Sequence, residues 1–199
     1  MQARVVVIGS INMDIVIRAE RMPREGETVF GSNLKFFPGG KGANQAVAAA
    51  RLGGETFMVG RVGKDSFGDA VKSRLLESGV NCDRVIVDEK AATGTALIVI
   101  NPTGNNSILV APGAADNVSP ADADAARDLI SRADALLFQF EIPLETVARA
   151  AELARAHGVL TVLDAGPAKE CPPDLLRMVD VVSPNETEAE ALIGRDIPD

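Results

Sequence analysis

Arg4-Val5-Val6-Val7-Ile8-Gly9 is a short, continuous apolar run that ends in glycine. A strand buried on both faces reads this way, and such strands belong to parallel sheets. The downstream sequence repeats the theme. Thr56 to Val62, Ala135 to Phe140, Val159 to Asp164 and Val179 to Ser183 are further runs of strand length. Segments of helical spacing lie between them. They are Ala43 to Leu52, closed by Gly53-Gly54; Ser66 to Ser78, ended by Gly79; Pro120 to Ala133; Leu144 to His157; Pro173 to Met178; and a last helix from Asn185 to Leu192. Strands alternating with helices predict an α/β, doubly wound, mostly parallel sheet with helices on both faces.

Two regions break that alternation. After Gly9 the chain stays extended, with Asn12 and Asp14 on one face and Ile11, Met13, Ile15 and Ile17 on the other. Met22 to Glu27 is turn-rich, and Thr28 to Phe37 is extended again. Ala96 to Ile100 and Ser107 to Ala111 flank Asn101-Pro102-Thr103-Gly104-Asn105-Asn106 and read as a hairpin. These segments predict a separate small antiparallel sheet, a lid, inserted at roughly 12–38 and 95–111 in one α/β domain over 1–199.

Composition narrows the function classes. The 199 residues carry a net charge of −8 and no Trp or Tyr. Without a basic patch or stacking platforms, nucleic acid is excluded as a partner. No apolar stretch approaches the roughly 18 residues of a membrane span, and the N-terminus runs straight into a strand rather than a signal peptide. Cys82 and Cys171 are far apart and outside any metal-ligand spacing, which fits a reduced cytoplasmic compartment. The sole histidine, His157, precedes Gly158 at a helix end, where it can complement the helix dipole. Triad or two-histidine metal chemistry is therefore not expected.

Gly39-Gly40-Lys41-Gly42-Ala43-Asn44 joins an irregular stretch, Phe36-Phe37-Pro38, to the helix from Ala43. Three glycines let backbone approach a ligand closely, and the helix points free N–H groups at the same place. Lys41 adds a positive charge and Asn44 a donor and an acceptor. The run is a site for something polar, hydroxylated or anionic. In open α/β sheets ligands bind beyond the carboxyl ends of strands, and Asn12, Asp14, Glu141, Asp164, Asn185 and Glu188 all collect there. Asp14 can accept two neighbouring O–H groups at once. Each residue also has a plainer reading. Asn12 and Asp14 could be a solvated strand face, and Glu141 a surface charge. Asn185 with Glu188 also fits a capping box. Asp164-Ala165-Gly166 reads best as a turn after a strand.

Gly9 to Asp14, Gly39 to Ala46 and Pro184-Asn185-Glu186-Thr187-Glu188 together resemble the opening strand, first signature and Asn-x-x-Glu motif of the ribokinase-like carbohydrate kinases. The resemblance runs collinearly from Val5 to about Gly194, and the lysine in the signature points to the ribokinase branch. It implies transfer of the γ-phosphoryl of ATP, with Mg²⁺, to the 5-hydroxyl of D-ribose. It implies that Asn12, Asp14, Gly40, Lys41, Asn44 and Glu141 hold the sugar, that Asn185 lies by the nucleotide phosphates, and that Glu188 organises magnesium. It also implies a lid over the sugar that pairs two subunits into a homodimer. The family's second signature, Gly-Ala-Gly-Asp, supplies the catalytic base and anion hole from its last third, and a monovalent cation such as K⁺ binds there too. No Gly-Ala-Gly-Asp occurs in these residues. The expectation is a catalytically incomplete fragment with no catalytic residue of its own and no ribose-dependent ATP consumption. A non-catalytic pentose-binding protein, and a relative acting on a nucleoside or other sugar, stay open as alternatives.

Overall fold

A computed structural model describes residues 2–197. Its elements in chain order are β1 (Arg4–Ile8), β2 (Asn12–Ala19), β3 (Gly31–Gly39), α1 (Lys41–Arg51), β4 (Glu55–Gly63), α2 (Ser66–Glu77), β5 (Val80–Asp88), β6 (Gly94–Ile100), β7 (Asn106–Ala111), a 3₁₀ turn (Gly113–Asn117), α3 (Pro120–Ala125), α4 (Arg127–Ile130), β8 (Ala135–Gln139), α5 (Leu144–Ala156), β9 (Leu160–Asp164), α6 (Pro173–Leu176), β10 (Val181–Ser183) and α7 (Glu186–Ile193).

Six strands form a parallel sheet in the order β10-β9-β8-β1-β4-β5. The apolar run at Arg4 to Gly9 lies at its centre. Val6 and Ile8 face one core, with Phe138, Ile130, Val147 and Leu153. Val7 faces the other, with Ala43, Ala46, Val71 and Leu75 from α1 and α2. Burial on both faces is why the run is apolar without alternation. The strand order reverses direction at β1, so a crevice opens at its carboxyl end.

The chain leaves β1 through Ser10 and Ile11, both buried, and enters a second sheet of order β3-β2-β6-β7. Its outer pairs are antiparallel, as expected of the inserted segments. Its central pair, β2 with β6, is parallel, from Asn12 opposite Gly94 to Arg18 opposite Ile100. The sheet is therefore mixed. The reason is connectivity: β2 and β6 both rise from the carboxyl edge of the larger sheet, so they must run the same way.

Three expectations change. Phe36-Phe37-Pro38 is not irregular; it lies within β3, an edge strand, where proline's missing N–H does no harm. The segment Pro120 to Ala133 is two short helices, because Ala126 turns out of helical geometry at φ −98° and ψ 7°. Asp122 is held there by Arg61, at 2.9 and 3.0 Å, while Ile130 drops into the core. Tertiary contacts override an alanine-rich helix propensity. β5 carries too weak a pattern to be read in advance: Asn81, Asp83 and Arg84 interrupt its apolar residues, as an edge strand permits.

The third change concerns the glycine run. α1 begins at Lys41, not Ala43, and Gly40 is its N-cap with φ 89°. A Cβ on Gly42 would lie 2.8 Å from the Gly9 carbonyl carbon and from the Ser10 backbone. One on Gly40 would lie 2.9 Å from the Asn12 nitrogen and the Ser10 oxygen. The glycines let the start of α1 press against the segment that leaves β1. Gly42→Ala should therefore cost about 1–3 kcal/mol through overpacking against backbone that cannot rotate away. A urea melt read by circular dichroism checks this, with the same transition slope and a lower midpoint expected.

Candidate functional site

The first turn of α1 is already occupied by protein. Ala43 N donates to Ser10 O at 3.0 Å, Gly42 N to Ser10 Oγ at 3.3 Å and Lys41 N to Glu141 Oε2 at 3.1 Å. Ser10 Oγ donates to the same Glu141 oxygen at 2.5 Å. The helix N-terminus does attract an anion, as its dipole requires, but the anion is the Glu141 carboxylate. The expectation of free N–H groups turned toward a ligand is corrected accordingly. Glu141 Oε1 has no hydrogen-bond partner among the described residues.

Around that anchor lie the other polar groups of the crevice. Asn12 is 4 % exposed, and its Oδ1 is buried without a hydrogen-bond partner. It lies over Gly94, where a Cβ would meet it at 2.1 Å. Asp14, half-buried, covers Gly39, whose Cβ would strike its carboxylate at 2.3 Å. Burial, and secondarily the charge of Glu141, raises the Asp14 carboxyl above its ordinary value. Asn12 and Glu141 line a cavity of about 370 Å³ between β7 and the segment after β8. A buried acceptor with nothing to accept, beside a carboxyl whose ionisation is resisted, is a place built for donors that arrive with a ligand.

A second group lies at the ends of β9 and β10. The Lys41 side chain reaches it, with Nζ 3.4 and 3.5 Å from the two oxygens of Asp164. Asp164 also accepts from Gln45 Nε2 at 3.2 Å and Gly166 N at 3.0 Å. Gln45 Oε1 accepts from the buried Gln139 at 2.6 Å. Asn185 caps α7, its Oδ1 accepting from Glu188 N at 2.8 Å while Glu188 Oε2 accepts from Asn185 N at 2.9 Å. That capping box leaves Glu188 Oε1 pointing at Gly166, where a single Cβ would touch both it, at 2.6 Å, and Lys41 Nζ, at 2.5 Å. Lys41 thus spans both groups, its N–H at one and its ammonium at the other.

Sequence reasoning located Asn12, Asp14, Gly40, Lys41 and Glu141 around one crevice, and Asn185 and Glu188 at a neighbouring strand end. Asn44 stands apart: its side chain is exposed and borders a separate recess of about 180 Å³ with Pro38, Val47 and Arg51. Asp164 does make the expected turn, but it also holds Lys41. Gln45, four residues after Lys41 on the same helix face, was the available signal for that pair. Ser10 and Lys169 had no distinctive signal. Among the described residues no cluster of three or more His, Cys, Asp or Glu is placed to hold a metal, and no helix is long and apolar enough to cross a membrane.

The family model for pfkB carbohydrate kinases matches residues 2–199. The chain belongs to that family. It is similar to the ribokinase of Staphylococcus aureus, with 40 % identity over 195 residues covering 98 % of this chain and 64 % of that protein. The ribokinase of Bacillus subtilis is 42 % identical over 188 residues, covering 94 % and 64 %. The structure of Arabidopsis thaliana ribokinase complexed with ribose and ATP superposes with a TM-score of 0.89 at 36 % identity, covering 98 % of this chain and 64 % of that one. The chain thus spans just under two-thirds of the length of these family members. The likeness covers both sheets, so the ribokinase-like α/β architecture holds across the described residues.

The raised Asp14 carboxyl makes a signed prediction. The folded chain keeps the Asp14 proton to higher pH than the unfolded chain does. Stability therefore falls as pH rises from the ordinary aspartate value through the raised one, and the penalty is complete above it. Asp14→Asn removes that penalty. Its melting temperature should exceed that of the parent at neutral pH, and the gap should close in acid below the ordinary aspartate range. Thermal melts across a pH series check both limbs.

Proposed function

We propose that this chain supplies the sugar-binding part of an ATP-dependent kinase that phosphorylates the 5-hydroxyl of D-ribose. The observation that carries the reading is buried Asn12, whose Oδ1 is unpartnered, lining a cavity together with Glu141, with Asp14 close to Glu141. Sugar hydroxyls are the donors such acceptors need. Asn12, Asp14, Gly40, Lys41 and Glu141 hold the sugar, with Asn44, three residues after Lys41 on α1, put forward as a further contact. The small sheet, over roughly 12–38 and 95–111 of a single α/β domain, acts as a lid that excludes competing water. The resemblance to the Staphylococcus and Bacillus ribokinases, and to the Arabidopsis enzyme holding ribose and ATP, supports the same assignment.

The phosphoryl end of the reaction belongs beside Lys41 Nζ, Asp164, Asn185 and Glu188. Oxygen donors suit Mg²⁺, and Glu188 Oε1, left over from the capping box, fits that role. Bound there, magnesium would neutralise charge on the phosphoryl oxygens. Asn185 lies by the nucleotide phosphates, and the Lys41 ammonium supplies a positive charge to the group in transit. For K⁺, no residue of this stretch is put forward. The setting is cytoplasmic. Exposed apolar residues on the lid, among them Phe36, Ile108 and Leu109, pair two copies into a homodimer.

Calorimetric titration tests the sugar assignment. Ribose should bind, and Asn12→Ala should bind it about tenfold more weakly, the loss expected for one buried hydrogen bond. A nucleoside binding in preference to ribose would replace the assignment. Sedimentation velocity tests the lid pairing: the parent should sediment as a dimer and Leu109→Asp as a monomer.

A further inference from the structure

The acidic groups of the cavity accept hydrogen bonds and give none. Glu141 lines it, Asp116 stands at its edge and Asp14 is close by. Ionised carboxylates satisfy the O–H groups of a sugar but leave its ring oxygen and hydroxyl lone pairs without donors. A sugar served by these carboxylates and the neutral Asn12 amide alone would still bury acceptors unpaired, which costs affinity. The cavity wall holds one cationic donor, Lys169. Its Nζ donates to Phe140 O at 2.6 Å and sits 5.9 Å from the centre of the Phe140 ring. Phe140 immediately precedes Glu141, and Phe140 N donates to Gly166 O at 3.0 Å, which ties the Lys169 loop to the Glu141 segment. The ammonium is therefore fixed in place with two N–H groups still free, one residue away along the wall from Glu141.

We infer that Lys169 is a specificity-determining residue of the sugar cavity, donating a charge-assisted hydrogen bond to a sugar oxygen that the surrounding carboxylates cannot serve. The inference rests on the sugar-binding reading of this cavity. It distinguishes ligands by where they carry an acceptor: an analogue lacking the oxygen that faces Lys169 loses what the ammonium contributes. It also gives the acidic cavity a counter-charge beside Phe140, so an anionic sugar is not repelled from every wall.

Titrations of ribose, of its 2-, 3- and 5-deoxy analogues, of 1,4-anhydroribitol and of a carbocyclic ribose with CH₂ in place of the ring oxygen into the parent, Lys169→Met and Lys169→Arg test it, with thermal melts to establish that each variant is folded. Lys169→Met should bind ribose about ten- to a hundredfold more weakly, the range for a charge-assisted bond. Lys169→Arg, which keeps a cationic donor, should recover part of the loss. One of these analogues should bind parent and Lys169→Met equally, marking the oxygen that meets the ammonium. The inference fails if folded Lys169→Met binds ribose within about twofold of the parent, where no such bond operates. It fails equally if ribose and every analogue lose affinity by one common factor, since Lys169 would then act only on the loop. If the parent gives no heat with ribose while its melt is normal, the sugar reading falls and this inference with it.

Discussion

The close crossing of two backbone segments governs this molecule. Gly40 and Gly42 at the start of α1 touch the backbone of Gly9 to Asn12, with no room for a side chain between them. That contact lets Ser10 satisfy two N–H groups of the helix, leaves the third for Glu141, and turns Asn12 and Asp14 toward the crevice. Helix α1, the small sheet and the crevice residues are fixed relative to one another by atoms that cannot move independently. The core on either side of β1 is packed mainly with aliphatic side chains and alanines, with Phe138 and Phe140 as its large aromatic members.

The electrostatics follow from the same crossing. Helix N-termini favour anions, and here the chain provides its own. Glu141 is drawn to the helix end by two donors, and its charge in turn resists the ionisation of Asp14. A strand-end carboxylate has become part of the scaffold on one oxygen and remains open to a ligand on the other. The paired roles of Lys41 repeat the pattern, with its backbone at the Glu141 carboxylate and its ammonium beside Asp164 and Glu188. Strain of this kind, with a buried unpaired acceptor and a disfavoured charge, is typical of sites completed by what binds them.

Much of the fold was legible because hydrophobic periodicity records burial directly. The Arg4 to Gly9 run announced a two-sided strand, and the Asn185 to Glu188 capping box marked a helix start that the structure contains. β5 escaped because an edge strand need not be apolar on both faces. The break at Ala126 escaped because it is imposed by Arg61, which lies 65 positions away. At the site, residue types were legible but their partners were not. Nothing local says that Glu141 will fill the helix N-terminus, that Gln45 will hold Asp164, or that Lys169 will fold back onto Phe140. The first two link residues 100 and 119 positions apart and the third 29 apart, and they exist only once the sheet order brings β8 beside β1 and β9 beside β8.

The parallel pairing of β2 with β6 has a mechanical consequence. The two central strands of the small sheet start at different roots, one at the end of β1 and one at Gly94, and are clamped together along their length. The sheet is thus a braced paddle rather than a flap on one hinge. Its nine-residue strand β3 spans about 30 Å. Any tilt of the paddle is small at Asn12 and largest at its far rim, so the lever is geared to preserve the spacing of the crevice residues while its outer edge sweeps the widest arc.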